Sequence, residues 1–241
     1  EMVFGYGLPV IAGSLPTRAE ARLLLLIAGL WIAARAGYAA AELLPDLLRA
    51  GASLAATTGI ALPAAAGFLR GAKRGGNLVF PALMAAFPTA ELLFQAGDLG
   101  LWRGGTAAGA WLGLGAAAML IAAMGGRVVG AATSGALQRA GEPRLPPRLS
   151  LERAQLLALA GGTVAAATGA SPLGAGLLGL GGALVLARCV LWLPGLRRSQ
   201  GDILALAVGQ AWLGLGLLAF GAAAALPLAL PPVAALHLAT I

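Results

Sequence analysis

The sequence predicts an all-α fold, a polytopic transmembrane helix bundle. Three observations carry that expectation. Hydrophobic residues make up 59% of the 241 residues, charged residues only 10%, and the mean hydropathy is +0.88. A soluble domain is about a quarter charged, and a chain of this size cannot hide so much apolar surface in a core of its own, so lipid covers the excess. The apolar residues also come in runs close to the roughly 20 residues that one helix needs to cross a bilayer. Finally, the basic residues lie between these runs, in alternate connections. The runs lack strict period-2 alternation, which excludes the strands of a membrane barrel.

Nine runs are expected, as full or partial spans. Met2–Leu15 is short, and Leu23–Ala41 holds Arg35. Gly51–Leu69 is uncharged, and Leu78–Ala96 carries Glu91 in its second half. Thr106–Met124 and Ala154–Ala170 follow, then Leu173–Leu193 with Arg188 near its end, and the uncharged Ile203–Leu226. The ninth opens at Pro231 or Pro232 and reaches Ile241. The outer two are too short to span, so residues 1–241 are expected to be a single transmembrane domain cut from a longer protein. The runs are rich in Gly and Ala, and Gly109 with Gly113 has the spacing that lets two helices approach closely. Between Gly125 and Arg153 lies the largest polar stretch, broken by Pro143, Pro146 and Pro147, which is expected to be a solvated cytoplasmic connection.

The connections fix an expected orientation. Arg18, Arg22, Arg70, Lys73, Arg74, Arg127, Arg139, Arg144, Arg148, Arg153, Arg188, Arg197 and Arg198 fall on one side, 13 of the 16 Lys and Arg residues. Only Arg35, Arg49 and Arg103 fall on the other. By the excess of positive charge in cytoplasmic loops, residue 1 and the Pro231 turn lie on the outer, periplasmic side of a bacterial inner membrane. The net charge of +7 is therefore spread over loops rather than gathered in a patch, which argues against a nucleic-acid partner. The one cysteine, Cys189, excludes a disulfide framework within the chain, and the acidic start is unlike a secretory signal.

Few residues carry chemistry. His237 is the only histidine and sits near the outer end of the last run, either as a haem or copper ligand or as an interfacial residue bonded to backbone. Glu1 is expected at the same face, where an acid at a helix N-terminus is favoured by the dipole. Glu91 within the membrane calls for a partner or a proton, and Arg35 is one candidate; the two form either a structural ion pair or a polar, proton-conducting pathway. Arg127 and Arg188, at inner helix ends, are expected to snorkel towards water. Met119 and Met124 read as packing rather than copper ligands. No CxxC, HExxH, dinucleotide or Walker pattern occurs, and no Ser–His or Cys–His pair is at hand, so the residues do not point to an enzyme.

Several ordered stretches resemble one family. The opening Glu1-Met2-Val3-Phe4-Gly5-Tyr6-Gly7 through Ile11-Ala12-Gly13 is similar to a helix start in the NnrS family. Asn77-Leu78, Phe80 and Leu92-Leu93-Phe94 resemble its fourth-helix region, and Met124-Gly125-Gly126-Arg127-Val128 its Gly-Gly-Arg-Val stretch. Ala211-Trp212-Leu213-Gly214-Leu215-Gly216-Leu217 and Ala234-Ala235-Leu236-His237-Leu238 with Thr240 resemble its late helices. The resemblance implies a bacterial inner-membrane protein containing haem and copper and linked to nitric-oxide metabolism or protection from nitrosative stress. It makes His237 the candidate ligand within this chain and places the family's His-x-His pair just before Glu1. The chain departs from the family at Ala207, Gln210, Glu91 and Gln95, where His, Tyr, Asn and His are common. A metal-free transporter or permease-like bundle, with Glu91 and Arg35 in a polar pathway, is the alternative expectation.

Overall fold

The computed structural model describes residues 17–40, 42–71, 78–146 and 148–225. Among these there are seven helices and no strand: α1 (Thr17–Ala39), α2 (Asp46–Gly71), α3 (Val79–Asp98), α4 (Gly105–Arg139), α5 (Leu149–Ala167), α6 (Ser171–Leu196) and α7 (Gly201–Ala225). They match, in order, the seven expected runs from Leu23–Ala41 to Ile203–Leu226. The two outermost runs lie outside the described residues. Five helices, α2, α3, α4, α6 and α7, are long and apolar enough to cross a membrane. In α1 the apolar stretch Leu25–Ala39 is shorter, and α5, with Glu152 in its first turn, is not among the five. The described residues thus hold a helical membrane bundle with five candidate spans by length and composition.

The largest departure from expectation is α4. It does not stop where the apolar run ends at Met124 but continues to Arg139, 35 residues in all. That is about 52 Å of helix, against a hydrocarbon core of about 30 Å. Most of the connection expected over 125–153 is therefore helical. Gly125-Gly126-Arg127 reads as a boundary because charge and glycine appear together there. The following residues, Arg127 to Arg139, nevertheless include three Ala, two Arg, Leu137 and Gln138, which favour helix, and no proline. The helix ends instead at Gly141, whose φ of 77° is open to glycine at little cost. Glu142 N–H donates to the Leu137 carbonyl and Gly141 N–H to that of Gln138, a Schellman closure. Gly169, with φ of 87°, closes α5 in the same way.

The chain divides into two compact units, Glu1–Ala117 and Ala118–Ile241. Within the first, α2 packs against both α1 and α3, and Phe68 stacks on Phe80 with ring centroids 4.9 Å apart. The start of α4 packs on α3 through Gly109, where a Cβ would lie 2.5 Å from the Phe94 nitrogen, so the Gly109/Gly113 spacing is used as a close approach. Within the second, α6 packs against both α5 and α7. The α6–α7 crossing is backbone on backbone: a Cβ at Gly182 would stand 2.6 Å from the Gly214 carbonyl oxygen, and one at Gly221 2.8 Å from that of Ala175. Large apolar side chains point away from these contacts, among them Leu47 at 72% and Leu157 at 73% exposure. Such surfaces are stable only against an apolar medium, which makes the lipid bilayer the partner of the helices.

Candidate functional site

Two polar cavities are built from residues that the sequence marks. The first lies within the second unit, between α4, α5 and α6, and has a volume of about 320 Å3. Its polar lining is Arg127 and Ser134 from α4, Arg148 at the head of α5, Glu152 on the first turn of α5, and Arg188 from α6. Leu145, Leu149, Leu191 and Trp192 supply apolar wall.

Arg127 keeps its side chain 40% exposed and stands 3.8 Å from a Glu152 oxygen, consistent with a residue reaching towards water. Arg188 does not snorkel. The residue is only 8% exposed, and three features draw it inward. Gly126 leaves room for the guanidinium, since a Cβ there would lie 2.7 Å from Arg188 Cζ. Arg188 Nη1 donates to Gln155 Oε1 at 2.9 Å, and Gln155 is itself fully buried. One turn further along α6, the Trp192 ring lies 5.3 Å from the guanidinium, a cation–π contact. The second oxygen of Glu152 is 3.9 Å from Arg188 Nη2, so one carboxylate serves two cations at charge-contact rather than hydrogen-bond range.

The neighbouring glycine has a matching partner. A Cβ at Gly125 would lie 2.5 Å from Gln210 Cδ, and Gln210 Nε2 donates to the Ile121 carbonyl oxygen at 2.6 Å. The Gly125-Gly126-Arg127 stretch thus admits Gln210 of α7, admits Arg188 of α6 and pairs with Glu152 of α5, three consecutive residues with three different roles. The sequence singles out Arg127 and Arg188 and marks Gln210 only as a departure from the family pattern; Glu152 and Gln155 carry no such signal. An arginine inside an apolar run with Trp four residues later was a readable signal; its buried glutamine partner was not.

The second cavity, about 230 Å3, lies within the first unit and is lined by both Arg35 and Glu91, with Ser53 and Thr57. The expected ion pair between them is not formed. Glu91 accepts hydrogen bonds from Ser53 Oγ at 2.6 Å and from Gln95 Nε2 at 2.6 Å. Arg35 instead lies over the Trp31 ring, 5.9 Å from its centroid. Short local donors satisfy the carboxylate without stretching a long arginine to it. Gln95 Nε2 also reaches the Tyr38 hydroxyl, and Arg49 lies over the Tyr38 ring at 5.7 Å while pairing with Asp46 at 2.8 Å and Asp98 at 3.5 Å. A continuous polar chain therefore runs Ser53–Glu91–Gln95–Tyr38–Arg49–Asp98.

Glu1 and His237 lie outside the described residues. Among the described residues no three of His, Cys, Asp and Glu come together to hold a metal ion. Cys189 packs against the buried cluster of Val129, Trp192 and Ala207.

Compared with known protein families, the chain matches the family described as NnrS protein over residues 1–241. No curated protein and no solved structure matches it.

Proposed function

The chain belongs to the NnrS family, and from that premise we propose that it is a haem- and copper-containing membrane protein that handles nitric oxide or protects the cell from nitrosative stress. The observation that carries the reading is the family match over the whole chain, residues 1–241. The apolar helices support a multi-pass membrane location. The finer parts of the proposal are nine full or partial spans, a bacterial inner membrane, and residue 1 with His237 at the periplasmic face, as the loop charges suggest. Ligation falls to His237 on this reading. Metal and haem quantitation of the purified full chain tests it: stoichiometric haem or copper supports the proposal, and folded, metal-free protein sinks it.

A second reading has an observation of its own. The cavity lined by Arg35 and Glu91 continues into a chain of polar side chains, which suits a transporter or permease-like bundle without metal. The same metal analysis separates the two, since this reading requires none.

A further inference from the structure

We propose that the cavity between α4, α5 and α6 is a binding site for a phosphate oxyanion, either a phospholipid headgroup or a free phosphate. The inference stands on the geometry of the second unit and does not depend on haem or copper.

Charge is the first argument. Among the described residues, Arg127, Arg148 and Arg188 line the cavity against one carboxylate, Glu152, three positive charges to one negative. Glu152 does not hydrogen-bond Arg188, since its nearer oxygen stays 3.9 Å from Nη2. Arg188 is the critical member. A guanidinium carries five N–H donors, and among the described residues Arg188 hydrogen-bonds only to Gln155 Oε1. A buried cation whose counterion is distant and shared is undercompensated, and a planar donor fork is the geometry that suits phosphate.

The backbone and walls add to this. Helix α5 begins beside the cavity with no side-chain cap at Arg148 and with Glu152 as the one acid of its first turn, so N–H groups at the positive end of its dipole add to the field of the arginines. Gln155, whose Oε1 accepts from Arg188, has its Nε2 buried without an acceptor, so the polar cluster behind the cavity has a donor to spare. Apolar wall from Leu191 and Trp192 lies beside the cations, and Leu149 is 58% exposed at the rim. Basic pockets between membrane helices hold phospholipid headgroups by this combination of fixed cations and apolar flank.

The test uses the full chain purified in an uncharged maltoside detergent, with thermal unfolding read against added ligand. The probes are inorganic phosphate and short-chain phosphatidylglycerol, with an uncharged amphiphile of the same chain length as control. We expect saturable stabilisation by at least one phosphate probe. Stabilisation by phosphatidylglycerol alone identifies a headgroup site, and stabilisation by inorganic phosphate identifies a site open to the free ion. Arg148→Gln removes an exposed cation without emptying the core and should weaken the apparent affinity roughly tenfold or more, as loss of one charge-assisted contact does. Arg103→Gln, the same charge change in the other unit, should leave it unchanged. No stabilisation by either phosphate probe overturns the proposal. So does an equal response to the uncharged amphiphile, or equal loss of affinity in Arg148→Gln and Arg103→Gln.

Discussion

Gly126 and Arg188 fit together as space and occupant: a Cβ on Gly126 would lie 2.7 Å from the guanidinium carbon of a buried arginine on another helix. A glycine that reads in sequence as the end of an apolar run is in fact the opening through which the second unit admits a charge. Gly126→Ala is expected to lower stability by about 1–3 kcal/mol, the usual range for overpacking a closed site. Gly176→Ala, where nothing lies within 4 Å, should be neutral or slightly stabilising, because alanine is the better helix former. Thermal unfolding of both variants in the same detergent checks the contrast.

The pair Gly125 and Gln210 predicts a non-additive cycle. Gly125→Ala drives a methyl into the Gln210 amide and should be destabilising, while Gln210→Ala loses the hydrogen bond to Ile121. The double variant should be more stable than the sum of the two losses implies, by about 0.5–3 kcal/mol, because the clash vanishes with the amide. Additive losses would show that the contact is not what constrains Gly125.

Glu152 holds two arginines at a distance, so Glu152→Gln should cost about 1–3 kcal/mol in phosphate-free buffer by leaving Arg188 without a counterion. The same change makes the cavity more positive. Added phosphate or phosphatidylglycerol should therefore restore more stability to Glu152→Gln than to the parent protein. A smaller restoration would contradict the charge argument.

Arg35 and Glu91 share a cavity but not an ion pair, and that is measurable. A double-mutant cycle with Arg35→Gln and Glu91→Gln should give a coupling energy below about 0.5 kcal/mol, as for independent sites. Glu91→Ala, by contrast, strips the acceptor from Ser53 and Gln95 and should cost about 1–3 kcal/mol alone.

How far these features were legible depends on the range over which each is determined. The seven described helices follow from apolar runs, because a bilayer fixes both the composition and the length of what crosses it. The extension of α4 to Arg139 was not legible. Gly125 and Gly126 look like a break, whereas their small size serves contacts with α6 and α7 that no local pattern announces. The Glu91–Gln95 bond has helical i,i+4 spacing and could have been anticipated; the Ser53 donor on α2 could not. Arg188 was visible as a charge in an apolar run, but its burial depends on Gln155 and Gly126 from two other helices. With those partners unseen, snorkelling was the cheaper expectation.

The claim that this member of the NnrS family carries metal with His237 as a ligand is tested most directly by the absorption spectrum of the purified full chain beside that of His237→Ala. A haem spectrum is expected in the parent protein and is expected to be shifted or lost in the variant, with the fold retained. A parent spectrum without haem, or one that His237→Ala leaves unchanged, would contradict it.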